Sequence, residues 1–184
     1  MSATLSASDA AYRAAPPSPV DLLFPDFAAE HAATRRLLAR VPDGRGAWRP
    51  HPRSRTLGEL ATHVAQIPQR GAVILTTDVL DIARRAPAPP FATTAALLAA
   101  HDAGVAALED ALAAATLDDL AGEWRLVAGP HTLIAGPRRH MLRTVGMSHL
   151  VHHRAQLGVY LRLLDVPVPG MYGPSADEQA AAPA

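Results

Sequence analysis

Of the nine histidines in this 184-residue chain, three crowd into one stretch, Ser148-His149-Leu150-Val151-His152-His153-Arg154-Ala155-Gln156. The stretch lies in an apolar segment from about Arg139 to Leu164 that contains no proline. A helix turns roughly 100° per residue, so His149 and His153 stack on one face, one turn apart. Leu142, Val145, Gln156 and Tyr160 fall within a similar angle, and this stripe is expected to face the interior of a bundle. Two imidazoles on a buried face are costly unless something uses their nitrogens. A divalent metal is one such user, because i, i+4 spacing lets two neutral rings reach one ion. Backbone carbonyls are another, and the spacing alone fits both. His152 lies about 60° to the other side of His149 and could not easily share the ion. A packing role or a dimer contact is expected for it.

The elements that must position these rings can be read along the chain. Met1 to Pro19 is Ala/Ser-rich with three prolines and reads as a flexible N-terminal arm. Ser18-Pro19 resembles a cap followed by proline, and Pro25 marks either the real start of the first helix or a kink in it. Phe27, His31, Thr34 and Leu38 recur at helical spacing, with Arg35 and Arg36 facing out. Thr56-Leu-Gly-Glu59 is a capping-box pattern that should open a second helix, with His63 in its apolar stripe and Pro68 expected to kink it. Thr93 or Thr94 should cap a third helix that ends near Ala115. Punctuation by Gly and Pro around Glu123-Trp-Arg-Leu-Val and His131-Thr-Leu-Ile suggests a short hairpin before the last helix. The expected organisation is an all-α four-helix bundle over residues 20–175, followed by a flexible tail over 176–184.

Composition narrows the function classes. Lys+Arg and Asp+Glu balance at 17 each, so there is no electrostatic case for nucleic acid or an anionic membrane. With no cysteine, a transition-metal site must be built from His and carboxylates. No segment reaches the roughly 18 apolar residues of a membrane span, and Met1 to Val20 lacks the pattern of a secretory signal. A cytoplasmic location is expected.

His149-Leu-Val-His-His153-Arg-Ala-Gln, then Leu157, Tyr160-Leu161-Arg162 and Val168-Pro-Gly-Met-Tyr-Gly-Pro-Ser175, resembles the DinB-like (DinB/YfiT-like) family of metalloenzymes. The match extends upstream to Leu60-Ala61-Thr62-His63-Val64-Ala65 and spans about Asp21 to Glu178. The resemblance implies a four-helix bundle, often a homodimer, and a metal triad that falls here on His63, His149 and His153. Three neutral imidazoles plus water would form an open, catalytic type of site for one Zn²⁺ or Ni²⁺ per chain. Members of the family include S-transferases and isomerases that use low-molecular-weight thiols such as bacillithiol or mycothiol, and metal-dependent hydrolases. A metal-dependent enzyme with a small-molecule substrate, and with a thiol cofactor as one option, is therefore expected. The alternative is a non-catalytic metal-binding stress-response protein, since the damage-inducible label refers to expression and not to a DNA activity. Glu59 could orient a ligand, though its cap explains it, and Gln156 could bond water, substrate or backbone. His101 reads as a core histidine, and His31 could approach from the first helix. Tyr160 and Tyr172 could line the pocket or pack, and a salt bridge is expected for Arg154.

Overall fold

The computed structural model describes residues 23–84 and 89–180. Helix α1 spans Phe27–Leu38, two residues past Pro25. It buries Phe27, His31, Thr34 and Leu38 and turns Arg35 and Arg36 to solvent. Helix α2 (Leu57–Thr76) opens with the expected capping box. The Thr56 hydroxyl accepts from the Glu59 N–H (3.1 Å), and the Glu59 carboxylate accepts from the Thr56 N–H (2.7 Å). Leu57, Leu60, Ala61, Val64, Ala65, Ile67 and Ile74 are all buried, which makes α2 the central helix. Pro68 lies inside it.

Helix α3 (Thr94–Ala114) is capped by Thr93, whose side chain accepts from the Ala96 N–H. It packs extensively along α2 because two glycines let the helices approach. A Cβ on Gly71 would stand 2.9 Å from Leu108, and one on Gly104 would stand 2.9 Å from the Gln69 backbone nitrogen. The short helix α4 (Leu117–Ala121) follows, with a capping box between Thr116 and Asp119.

Strands overturn the all-α expectation. β1 (Val79–Asp81), β2 (Glu123–Ala128) and β3 (His131–Pro137) form a three-stranded mixed sheet in the order β1-β2-β3. The hairpin between β2 and β3 falls where turn residues place it, with Gly129 in the left-handed region at φ 57°. β1 is the unexpected member and runs parallel to β2, Val79 opposite Arg125. Three residues carry no readable periodicity, and their partner lies far along the chain. The sheet is fastened to the C-terminal end of α2. Arg138 donates to the Ile74 and Thr77 carbonyls (3.0 and 3.1 Å), and the buried Trp124 indole donates to the Thr77 hydroxyl.

The last helical segment is not one α-helix. Helix α5 (Arg138–Met141) passes into a π-helical stretch over Leu142–Ser148, and regular α6 spans His149–Arg162. The wider π turn breaks the 100° wheel on which Leu142 and Val145 were aligned with His149. Rotation of α6 is set instead from the far side. Buried Arg154 pairs with buried Glu30 at 2.6 Å and donates to the Glu30 carbonyl, the Thr34 hydroxyl and the Tyr172 phenol. Tyr172 in turn donates to the Glu30 carboxylate at 3.1 Å. Residues expected as tail contain a short helix, α7 (Ala176–Ala180), held by an Arg162–Asp177 ion pair. The expected arm over residues 1–19 lies outside the described residues.

Candidate metal centre

His63 stands in the second turn of α2, His149 is the first residue of α6, and His153 is one turn further on. Because α2 packs on α6, the three rings meet edge to face. Centroid separations are 5.0 Å for His63–His149 and 4.4 Å for each of the other two pairs. One nitrogen from each ring lies within 4.8 Å of the others. Among the described residues, no other group of three or more His, Asp or Glu side chains converges in this way.

The hydrogen bonds identify the inward nitrogens. His153 Nδ1 bonds Gln156 Oε1 at 2.7 Å, and a carboxamide oxygen only accepts, so Nδ1 holds the proton and Nε2 presents a lone pair. Nε2 of His63 and Nε2 of His149 are 2.9 Å apart. Arg70 Nη2 lies 3.2 Å from His63 Nδ1, and a guanidinium only donates, so the neutral His63 ring carries its proton on Nε2 and gives it to His149. All three rings resist protonation. Burial is the main cause, bringing His63 down to about 3 and His149 to about 4 and lowering His153 as well. Arg55, Arg70 and the other imidazoles add to the effect. Neutral imidazoles converging with no fourth protein ligand among the described residues suit a borderline divalent ion with an open coordination position.

Beside His63 opens a cleft of about 630 Å³ lined by Arg55, Glu59, Thr62, His63, Gln66, Arg70, Pro89 and Pro90. Glu59 reaches this cleft, but its carboxylate is engaged by the α2 cap. Gln156 is hydrogen-bonded to His153. His152 is exposed, with its ring 4.8 Å from that of His153. His31 does not join the centre; it is buried against His101, with ring centroids 5.7 Å apart. Tyr160 packs edge-on against Trp48, and its hydroxyl donates to the Arg55 carbonyl. Arg55 and Arg70 were not singled out from the sequence. Arg70 was findable, since seven residues past His63 is two turns along the same helix face.

A model of the DinB family matches residues 17–183. The chain belongs to the DinB family. Two solved DinB-like proteins share its fold. One, from Bacillus cereus ATCC 10987, has a TM-score of 0.65 at 20% identity and covers 83% of this chain and 97% of its own. The other, from Bacillus subtilis, has a TM-score of 0.61 at 16% identity, with 82% and 96% covered. No curated protein matches the chain. Membership of the DinB family and the cluster of three histidines are together compatible with metal binding.

Proposed function

We propose that this DinB-family protein binds one divalent transition metal, Zn²⁺ or Ni²⁺, through His63, His149 and His153. We propose further that it is an enzyme of the thiol-dependent transferase or hydrolase type, acting on a small molecule. The observation that carries the reading is the convergence of three neutral imidazoles beside an open cleft. A bound ion would supply Lewis acidity, favouring thiolate or hydroxide in its open position and polarising a substrate oxygen. The chain's own residues have separate tasks. Gln156 holds the His153 proton on Nδ1, away from the ion. The Arg154–Glu30 pair turns α6 so that His149 and His153 face α2. The cleft admits a substrate along α2, and its opening beside His63 favours catalysis over a purely structural ion.

Elemental analysis of protein purified without a metal-affinity tag tests the reading. About one equivalent of metal per chain is expected, lost on chelation and restored by Zn²⁺ or Ni²⁺. Protein that takes up no metal from either salt overturns it. Profiling thiols with electrophiles, and hydrolysable esters and amides, should then reveal a turnover that chelation abolishes.

A further inference from the structure

Two imidazoles outside the metal centre lack what buried polar groups normally have. His31 of α1 and His101 of α3 are 5% and 1% exposed, with ring centroids 5.7 Å apart. Both nitrogens of His31 and Nε2 of His101 are buried with no hydrogen-bond partner among the described residues. Native structures rarely leave buried polar atoms in that state. We propose that the groove between α1 and α3 binds a small uncharged phenol, its ring lying in the groove and its hydroxyl bridging His31 and His101. The inference is independent of the metal centre.

The orphaned atoms define the polar end of the ligand. His101 Nδ1 lies 3.5 Å from the Asp102 carboxylate, which only accepts, so Nδ1 holds the proton and Nε2 presents a lone pair. Burial lowers the pKa of both rings, so at pH 7 His31 is neutral and carries one N–H and one lone pair. The pair thus offers a donor on His31 and an acceptor on His101. A hydroxyl answers both, accepting from the first and donating to the second, whereas a carboxylate only accepts and an ammonium only donates. Two rings bonded to one oxygen hold their centroids about 6 Å apart, near the 5.7 Å observed. The walls define the rest of the ligand. Phe27, Ala28 and Ala32 on α1 and Val105 and Ala106 on α3 line a groove of about 310 Å³ that both imidazoles also border. These side chains are apolar and three are alanines, which leaves room for a flat ring. Arg35 and Asp102 pair from α1 to α3 at the exposed rim, where an ion pair is weak enough to open for a ligand. The inner side supplies no partner. There His31 borders a cavity of about 20 Å³, room for one water, whose other lining, including Phe24, Ile67, Leu108 and Leu150, is apolar. A water in it would have too few polar partners to stay.

Two probes of matched shape, 4-methylphenol and toluene, separate the hydroxyl from the apolar body. Titration calorimetry on the full chain should show the phenol binding about tenfold more tightly, the size of one well-placed hydrogen bond. Nitrogen-15 spectra of the imidazoles should report that binding at His31 and His101. His31→Leu keeps an apolar side chain of similar size in place with no polar atom, and in it, as in His101→Leu, the two probes should bind alike. Equal affinity for the two probes in the wild-type protein, or no binding of the phenol up to its solubility, overturns the proposal and leaves a water as the bridge between the rings. A preference that survives in both leucine variants also overturns it, as does a spectral response confined to His63, His149 and His153, which would place the phenol at the metal centre.

Discussion

One hydrogen bond, from His153 Nδ1 to Gln156, determines which nitrogen His153 offers inward. His152, its neighbour, is exposed and is not one of the three histidines that converge. We therefore expect His153→Ala to abolish high-affinity metal binding, while His152→Ala leaves it intact. Gln156→Ala should weaken binding by about 10–100-fold, since the ring loses the partner that orients it. Titration calorimetry on the three variants checks this. His31 presents the opposite case, a buried imidazole with no described hydrogen-bond partner on either nitrogen. Burial, then His101 and Arg154, depress it from 6.5 to about 4. The folded value lies below the unfolded one, so between them the unfolded chain binds more protons and stability rises with pH. The contribution is complete above about pH 6.5 and disappears as pH falls through about 4, a change of about 3 kcal/mol. His31→Leu should remove that part of the slope while leaving stability at pH 7 unchanged or higher, because no hydrogen bond is lost. Urea denaturation of both proteins between pH 4 and pH 8 would show it.

At the scale of elements, the site depends on how closely α2 is approached and on how α6 is turned. Gly104 lets α3 lie against α2, where an added methyl would meet the Gln69 backbone nitrogen at 2.9 Å. Backbone cannot rotate away as a side chain can, so Gly104→Ala should cost about 1–3 kcal/mol by thermal or urea unfolding. The π stretch ends at Ser148, and its wider turn determines where α6 begins. Beyond it, Arg154 points into α1 while His153 faces α2, so a buried ion pair on one side of the helix orients ligands on the other. Arg154→Met would leave the buried Glu30 carboxylate with the Tyr172 hydroxyl but without its cation and should cost about 3–5 kcal/mol. It should also weaken metal binding without touching a ligand. Replacing Glu30 by Gln in the same protein should restore part of the stability, and unchanged metal affinity in Arg154→Met would show that this pair does not orient α6.

For the whole molecule, a shared ion would join α2 to α6, two helices with residues 77–148 between them. Metal at about a thousand times its dissociation constant should add about 4 kcal/mol of stability. Scanning calorimetry should show a raised melting temperature in the wild-type protein and no response in His63→Ala. Basic and acidic residues balance at 17 each, and we propose on that ground that the protein has no affinity for DNA, with no shift expected in a low-salt gel. None of the described helices is long and apolar enough to cross a membrane. A homodimer is the expected assembly, to be read by sedimentation.

What the sequence determined by itself is what short-range rules control. The Thr56–Glu59 box marks where α2 begins, helical spacing stacks His149 over His153, and turn residues place the β2–β3 hairpin. The motifs flanking His63 and His153 marked both helices of the centre. Only the tertiary structure decided the rest, because it depends on contacts between distant segments. β1 is three residues that become a strand only when β2 lies alongside. The π stretch arises where α5, fastened to the end of α2 by Arg138, must meet an α6 whose rotation Arg154 has set. His31 and His63 look alike in sequence, each a histidine in an apolar stripe. Packing sends one to a buried pair with His101 and the other to His149 and His153. Helical periodicity specifies which residues share a face, but the element that covers that face is chosen by the three-dimensional packing.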